Sequence, residues 1–408
     1  NHAFHLNMTM FQVAGGQPGG RDRQGALRLS HPSPARRQHG GRGGLIAHPT
    51  INSIRVLVPG TGTRFRCGGL NVALQSARLL GRLRPTQVVT YRAREQEHPW
   101  LEDLLAQEST PGAALWLVSW GFDVPALLAK LRGRPVVYQA HSSGYGFDLP
   151  PGVPVVAVSR NTLGYWGDRA PRNPLFLVPN ALEPQWLERG ARPGALDRGS
   201  DRRPIDVLVQ QRKSSPYVLE RLVPALREQG LTVEVQSGWV EDLVELFNSA
   251  SVYLYDSAEY WRGRGVSEGF GLPPLEALAC GCVLFSSFNH ALADTLTPGV
   301  TAHQIGQGSL QNDLSRIAAA AATPEPWRPQ PSVLESLLAE VSEERWLDHW
   351  QRTLEQLEQL QAQNALGLDP AAALRSPSTR RLRWEQRLDR LRGKVADRLP
   401  GWPNRRKP

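Results

Sequence analysis

Short apolar runs alternate with helical patterns in two series along this sequence of 408 residues. The first run, residues 54–58, is followed by a glycine-containing loop and by apolar residues at helical spacing from Leu70 to Leu80. An apolar strand followed by a helix is typical of parallel sheets that are covered by helices on both faces. The alternation predicts an α/β fold with two Rossmann-like domains, whose ligands would bind at the carboxyl edges of the sheets.

The strands and domain limits follow from the same pattern. The expected strands are 54–58, 87–90, 115–119, 136–139, 155–158, 175–178, 205–209, 231–235, 252–255 and 282–286. The expected organisation is a disordered tail over 1–50, an N-terminal Rossmann-like domain over 51–182, a linker over 183–204, a C-terminal Rossmann-like domain over 205–330, one long amphipathic helix over 331–364 and a basic tail over 365–408. Ser332 and Glu335 form a capping box, which predicts that the long helix begins there.

The net charge of +9 is concentrated at the two ends of the chain. Residues 1–50 hold six arginines and one aspartate, residues 371–408 hold twelve lysines or arginines and three acids, and residues 51–370 therefore carry a net charge of −5. Because the middle of the chain is mildly acidic, a nucleic-acid binder ranks behind other function classes. Basic tails instead suit contact with an anionic surface.

Cysteine content and hydropathy bear on the compartment. Cys67, Cys280 and Cys282 are an odd number without the spacing of a zinc site, so reduced thiols are expected rather than a disulfide framework. No run approaches about 20 consecutive apolar residues, and the N-terminus lacks the pattern of a signal peptide. We therefore expect a cytoplasmic protein.

The stretch after the strand 252–255 carries the clearest candidates for chemistry. Gly269 and Gly271 would let the backbone approach a ligand, and the following helix, which has Pro274 in its first turn, would favour a phosphate at its N-terminus. Glu268 and Glu276 flank this position and could accept hydrogen bonds from sugar hydroxyls. The pattern thus favours a sugar phosphate, although a carboxylate near a helix start and glycines in a turn also occur for structural reasons alone.

The full string resembles the donor-site motif of the group 1, retaining, nucleotide-sugar glycosyltransferases, E-G-F-G-L-P-x-L-E-A-x-A-x-G. Every fixed letter of that motif is present from Glu268 to Gly281. The resemblance covers about residues 54–360 and implies a GT-B fold, with two Rossmann-like domains facing a central cleft, the acceptor on the N-terminal domain and the donor on the C-terminal domain. It implies that Glu268 contacts the donor sugar and that the donor is also bound by Gly269, Phe270, Gly271, Leu272 and Glu276, the last on the ribose.

Two loops of the second domain add further candidates. Arg212 and Lys213 follow the strand 205–209, where cations would stabilise a nucleoside diphosphate leaving group, although a solvated basic turn is the structural alternative. The resembled family usually has this Arg and Lys several residues apart. Gly238, Trp239 and Val240 correspond to the loop that holds the nucleobase in that family, although Trp239 could equally pack in a core.

The first domain also has candidates. Gly68 and Gly69 resemble the family's loop beside the donor phosphates, with Arg64 and Arg66 as nearby cations. His141 resembles the cleft histidine that contacts the transferred sugar, although a lone histidine after a strand is often a plain loop residue. The sequence departs from the family at Ser142, where an acid is usual, and at Ala181, where glycine follows the asparagine corresponding to Asn180.

The reaction implied by the resemblance is transfer of a sugar from a nucleotide-diphosphate sugar to a hydroxyl of a glycan, lipid-linked or small-molecule acceptor, with retention, in cell-envelope or polysaccharide biosynthesis. The catalytic residues would be Glu268, His141, Arg212 and Lys213. No cofactor and no metal are expected, and the insert 259–265 is expected to shape the donor-sugar side. The alternatives are another GT-B enzyme, such as a nucleotide-sugar epimerase or a glycogen-type synthase, and a catalytically silent nucleotide-sugar-binding or membrane-associated scaffold.

The basic tail has a pattern of its own. Trp384, Leu388, Leu391 and Val395 recur at helical spacing among arginines and a lysine. This pattern suits a helix that lies on anionic lipid, so we expect peripheral contact of residues 380–399 with the inner face of the cytoplasmic membrane. A solvated tail is the alternative.

Overall fold

The computed structural model describes residues 51–108, 114–193 and 203–362, together with Trp384, Arg387, Leu388 and Leu391, which are helical. The predicted disordered tail over 1–50 and most of the predicted basic tail lie outside the described residues. Within the described ranges, no helix has the length and apolar character needed to cross a bilayer.

The first sheet is parallel and has the strand order β2-β1-β3-β4-β5-β6. Its strands are β1 Ser53–Val58, β2 Thr86–Thr90, β3 Ala114–Val118, β4 Val136–Ala140, β5 Val155–Ala157 and β6 Leu175–Leu177. The helices of this half are α1 Gly68–Leu80, α2 Leu101–Gln107, α3 Val124–Lys130 and α4 Arg160–Arg169, and the next helix along the chain is α5 Pro184–Arg189. Helix α5 lies within the segment predicted as linker and contributes the buried Trp186 to the core of the second sheet.

The second sheet is also parallel and has the order β11-β10-β9-β7-β8. Its strands are β7 Ile205–Gln210, β8 Val233–Gln236, β9 Ala250–Tyr255, β10 Val283–Ser286 and β11 His303–Gln304. The accompanying helices are α6 Val223–Glu228, α7 Leu243–Asn248, α8 Ala258–Arg262, α9 Leu272–Ala279, α10 Leu310–Ala322, α11 Pro331–Glu340 and α12 Glu343–Ala362. A π-helical turn, Val218–Leu222, precedes α6, where Pro224 would disturb regular α-helical bonding.

Both faces of each sheet are buried, as near-continuous apolar strands require. In β1, Val56 packs with α1 and α12, whereas the adjacent Leu57 packs with residues of α3 on the other face. In β7, Leu208 and Val209 likewise belong to cores on opposite faces. The predicted α/β fold is therefore confirmed, and each predicted strand lies within about two residues of an observed one, whereas β11 was not predicted.

The prediction of one long helix after residue 331 is wrong. Helix α11 begins at Pro331 after Gln330, so Ser332 lies inside the helix and makes no capping hydrogen bond there. Helix α11 ends at Glu340, and Val341 is no longer helical. At the start of α12, Ser342 Oγ accepts a hydrogen bond from the Arg345 amide at 3.2 Å. The predicted capping box is therefore also wrong.

The break has a physical reason, because the two parts of the apolar stripe face different sheets. Leu334 and Leu338 of α11 pack in the core of the second sheet, whereas Trp350 and Leu354 of α12 pack in the core of the first. A single straight helix could not present one stripe to both cores. Buried Glu343 fastens α12 to α1 by accepting a hydrogen bond from Gln75 Nε2 at 3.0 Å.

Candidate active site

Strand order places the candidate site at one edge of each sheet. Strand β1 lies between β2 and β3, and β7 lies between β8 and β9, so the chain reverses its winding direction beside β1 and beside β7. Ligands of open parallel sheets bind outside the carboxyl ends of the strands at such switch points. The loops that follow β1, β7 and β9 carry the sequence-predicted glycines, cations and glutamates.

A cavity of about 450 Å³ lies between the two halves of the protein. Helix α1 of the first half and the loops and helices of the second half line it. The sequence-predicted residues that it brings together are Gly68, Trp239, Val240, Leu272 and Glu276. The cavity is also lined by Glu183, Gln185 and Arg189 from the segment predicted as linker. A volume of this size suits a small organic ligand.

Glu276 is the acidic group of α9 that lines this cavity. It lies in the second turn of the helix and is half-buried. Burial raises the pKa of its carboxyl group to about 7, with a smaller contribution from the charge of Glu183, and the positive charge of Lys213 opposes the rise. A carboxylate with a raised pKa next to a cavity is a candidate for a functional role.

Glu268 is 3% exposed and is held by specific donors. Its Oε2 accepts hydrogen bonds from the Tyr255 hydroxyl at 2.5 Å and from Trp261 Nε1 at 2.7 Å. Its Oε1 lies 3.8 Å from Lys213 Nζ, so the two residues form an ion pair. These contacts fix the carboxylate in one orientation.

The adjacent cations Arg212 and Lys213 take different directions. Lys213 has a positive φ of 70° and places its ammonium near Glu268. Arg212 is exposed, and its Nε lies 3.4 Å from the Tyr260 hydroxyl. Because the backbone is left-handed at Lys213, the side chains of Lys213 and Arg212 point to different partners, Glu268 and Tyr260.

His141 lies where the first half of the protein meets the glycine loop of the second. Its carbonyl oxygen lies 1.6 Å from the position that a Cβ on Gly269 would take, so only glycine fits there. Ser142 Oγ donates a hydrogen bond to the Ser267 carbonyl at 2.7 Å, and Ser143 Oγ lies 2.7 Å from Ser267 Oγ. The loop after β4 is therefore in direct contact with the Glu268 loop.

The His141 ring itself is neutral at neutral pH. Burial lowers its pKa to about 4. Its buried Nε2 has no hydrogen-bond partner among the residues that the structure describes. Buried polar atoms normally have a partner, so a bound ligand hydroxyl would supply one here.

The glycine loop leads into α9 in the expected way. Gly271 precedes the helix with a φ of 91°, and a Cβ there would lie 2.3 Å from Leu292 Cδ2. Phe270 is 4% exposed and packs in the core of the second sheet. Only its backbone can therefore take part in the donor binding predicted for it.

Trp239 and Gly68, at the start of α1, both line the cavity. Trp239 is 76% exposed, and the Arg66 guanidinium lies 5.4 Å from the centre of its ring. Exposure on this scale argues against the core-packing alternative for Trp239. Gly68 and Gly69 form the first turn of α1, where a Cβ on Gly68 would meet nothing within 4 Å and one on Gly69 would lie 3.8 Å from Cys67 Sγ. The start of α1 is therefore open.

Sequence reasoning missed the partners of Glu268. Tyr255 closes β9 and Trp261 belongs to α8, and neither residue type indicates a carboxylate partner by itself. The one available signal was the aromatic insert 259–265 immediately before the motif, which was expected only to shape the donor-sugar side. Within the described ranges, no cluster of three or more His, Cys, Asp or Glu could hold a metal ion.

The family comparison matches residues 226–321 to the glycosyl transferases group 1. This range contains the loop after β8, Glu268 and all of α9. The match confirms the predicted family resemblance for residues 226–321, and the roles of the individual residues stay predictions. No curated protein matches the sequence.

Solved structures similar to this chain are glycosyltransferases. A glycosyltransferase from Rickettsia africae ESF-5 has 11% identity and a TM-score of 0.55, over 75% of this chain and 98% of that chain. Sucrose-phosphate synthase from Thermosynechococcus elongatus has 15% identity and a TM-score of 0.52, over 75% and 99%. HepE from Anabaena, solved with UDP and glucose, has 14% identity and a TM-score of 0.50, over 74% and 99%. At these identities the likeness establishes the fold, and the predicted GT-B fold is confirmed.

Proposed function

We propose that this chain, which has the GT-B fold and matches the group 1 glycosyl transferases over residues 226–321, transfers a sugar, with retention, from a nucleoside diphosphate sugar to a hydroxyl. The observation that carries the proposal is the position of Glu276 on the wall of the 450 Å³ cavity between the two sheets. The ribose hydroxyls would donate to Glu276, and the base would lie against Trp239 and Val240.

The diphosphate has suitable partners beside this cavity. The first turn of α1 opens onto the cavity at Gly68, and helix N-termini favour phosphate through their free N–H groups. Lys213 lies close enough to both glutamates to affect the ionisation of Glu276 and to pair with Glu268. We assign Lys213 to the phosphate next to the sugar, and Arg212, which is more exposed, to a supporting role.

The chemistry needs positioning and charge stabilisation. The bond from the anomeric carbon to the diphosphate oxygen breaks and its electron pair stays on the diphosphate, where Lys213 and the helix N-terminus stabilise the new negative charge. The acceptor oxygen forms the new bond to the anomeric carbon on the same face, and its proton passes to the departing diphosphate. Retention is inferred from the resemblance to the retaining family.

His141 and Glu268 would contact the transferred sugar. His141 is neutral because burial lowers its pKa to about 4, and its buried Nε2 is free to pair with a sugar hydroxyl, as far as the described residues extend. Glu268 would accept a hydrogen bond from another hydroxyl. Both residues belong to loops that touch each other at Gly269.

The acceptor would be a glycan, a lipid-linked saccharide or a small molecule that binds on the side of the first sheet. The biological role would be cell-envelope or polysaccharide biosynthesis.

Contact with the inner face of the cytoplasmic membrane belongs to this proposal. Trp384, Leu388 and Leu391 support it because they are 63%, 37% and 58% exposed at helical spacing. Flotation with anionic liposomes should recover the full chain and lose the variant truncated after residue 364, whereas equal flotation of both would contradict the contact.

Turnover tests the proposed function against the silent-scaffold alternative. Ser142, in the place of the family's usual acid, donates to the Ser267 carbonyl, so this departure has a structural role that is compatible with activity. HepE is described with UDP and glucose, so UDP-glucose is the first donor to test. Release of nucleoside diphosphate from a panel of UDP-, GDP- and ADP-sugars, with simple saccharide and lipid-linked acceptors, should exceed the rate of a Lys213→Ala variant. Donor binding without release for any pair would favour the scaffold.

A further inference from the structure

The short helix α8 contacts the three charged residues proposed for the sugar end of the site. Trp261 donates its indole N–H to Glu268 Oε2 at 2.7 Å, and Lys213 Nζ lies 5.3 Å from the centre of its ring. The neighbouring Tyr260 places its hydroxyl 3.4 Å from Arg212 Nε. Two adjacent aromatic residues therefore contact Glu268, Lys213 and Arg212.

The Trp261 hydrogen bond determines which oxygen of Glu268 remains available. Oε2 already accepts from both Trp261 and the Tyr255 hydroxyl. Oε1 faces Lys213 Nζ at 3.8 Å, which is longer than a hydrogen bond. Oε1 is therefore the oxygen that can accept from a ligand, and it does so next to a cation.

The connection from α8 to Glu268 is also held from the opposite side of the cleft. The Val266 amide bonds back to the Trp261 carbonyl at 3.4 Å. The carbonyl of the preceding Gly265 lies 2.2 Å from the position of a Cβ on Gly144, so the loop after β4 packs tightly against it. Trp261 is thus bonded at its backbone to the segment that packs against the loop after β4, and at its side chain to the Glu268 carboxylate.

We infer that Trp261 is a positioning residue that fixes Glu268 so that Oε1 alone accepts a hydroxyl of the donor sugar, beside Lys213. This inference rests on the proposed function. It deepens that function by assigning sugar recognition to one carboxylate oxygen and one indole N–H. Loss of the N–H frees Oε2, lets the carboxylate rotate and weakens selection of the sugar, while the nucleotide part of the donor is unaffected.

The test compares the dissociation constants of UDP and UDP-glucose, and of the GDP and ADP pairs, by calorimetry. The ratio of nucleotide to nucleotide-sugar constants, the sugar increment, isolates recognition of the sugar. Trp261→Phe keeps a ring and removes the N–H donor. It should lower the increment at least about tenfold, the lower end of the scale for one hydrogen bond to a charged group, with nucleotide affinity changed less than twofold.

Two controls separate positioning from general damage. Trp327→Phe makes the same chemical change against Phe285 and His303, away from the site, and should leave the increment unchanged. In a Glu268→Ala background, Trp261→Phe should have no further effect, because Trp261 acts through Glu268. If Trp261→Phe does not fold, Trp261→Leu carries the same expectation.

Each outcome has one meaning. An unchanged increment in folded Trp261→Phe, or an equal loss in the Glu268→Ala background, overturns the inference and leaves the proposed function intact. Absence of binding of all three nucleotides to the folded wild-type chain overturns the proposed function and this inference with it.

Discussion

The carbonyl oxygen of His141 occupies the space that a side chain on Gly269 would need, at 1.6 Å from the Cβ position. One residue belongs to the loop after β4 and the other to the loop that carries Glu268. The hydrogen bond from Ser142 Oγ to the Ser267 carbonyl, at 2.7 Å, joins the same two loops. The arrangement of the sugar end of the site therefore depends on the contact between the two halves of the protein.

Gly269→Ala should lower kcat for donor turnover at least about tenfold, because the methyl group meets a backbone carbonyl that cannot rotate away and separates the two loops. Steady-state kinetics measure this effect. Gly164→Ala is the matched control, since Gly164 is exposed on α4 and a Cβ there meets nothing within 4 Å. Equal activity of the two variants would show that the contact does not matter for catalysis.

The raised pKa of Glu276 makes stability depend on pH. A carboxyl group whose pKa is about 7 in the folded protein, against 4.5 ordinarily, contributes its full stability below pH 4.5. That contribution is lost as the pH rises through 7, because the folded state must then hold the charge. The free energy of unfolding of Glu276→Gln, minus that of wild type, should therefore increase by up to about 3 kcal/mol between pH 4.5 and pH 8. Urea unfolding at both pH values measures this difference. A difference that does not change with pH would contradict the raised pKa.

Donor affinity should depend on pH in the opposite sense. The ionised carboxylate of Glu276 accepts hydroxyl hydrogen bonds better than the protonated form, so UDP-glucose should bind more tightly as the pH rises from 6 to 8. UDP-glucose suits this titration because its diphosphate diester does not titrate in that range. Calorimetry at pH 6, 7 and 8 should give a flat profile for Glu276→Gln. A rise of equal size in that variant would assign the dependence to another group.

Trp239→Ala should weaken nucleotide binding about tenfold, since stacking on an aromatic ring contributes on the order of 1–3 kcal/mol per base. The free energy of unfolding should change by less than about 0.5 kcal/mol, because Trp239 is 76% exposed. Val300→Ala, at a side chain that is 46% exposed, is the control for loss of exposed apolar surface. A large loss of stability in Trp239→Ala, or unchanged nucleotide affinity, would contradict the assignment to the base.

Trp350→Ala tests how much the packing of α12 against the first sheet contributes to stability. Trp350 is fully buried with Trp346 and the core that includes β1, so its truncation should cost about 3–5 kcal/mol of unfolding free energy. His349→Ala, on the same helix but only partly buried, should cost much less. Chemical denaturation measures both, and similar small losses would show that α12 contributes little to the first core.

The sequence predicted the α/β fold because buried parallel strands leave nearly continuous apolar runs, as at β1 and β7. It did not predict the break at Val341, since one amphipathic stripe does not reveal that its two parts face different cores. The Gly271 turn and the start of α9 were predictable from local glycine and proline chemistry. The hydrogen bond from Trp261 to Glu268 was not, because it depends on how α8 folds over the end of β9.

The roles of Arg212 and Lys213 show the same limit. Their position after β7 suggested two cations at one diphosphate, but the positive φ of Lys213 sends one side chain to Glu268 and the other to Tyr260. A backbone conformation of this kind is set by tertiary contacts and leaves no mark at a lysine in the sequence. The charge pattern therefore predicted the presence of cations but not their partners.

The most direct measurement is a calorimetric titration of the wild-type chain and of Glu276→Ala with UDP, GDP and ADP. We expect one nucleotide to bind in preference to the others, and loss of the Glu276 carboxylate to weaken this binding at least about tenfold, the lower end of the range for a lost hydrogen bond to a charged group. Binding of none of the three to the folded protein, or equal binding to both chains, would contradict the assignment of the cavity as the donor site.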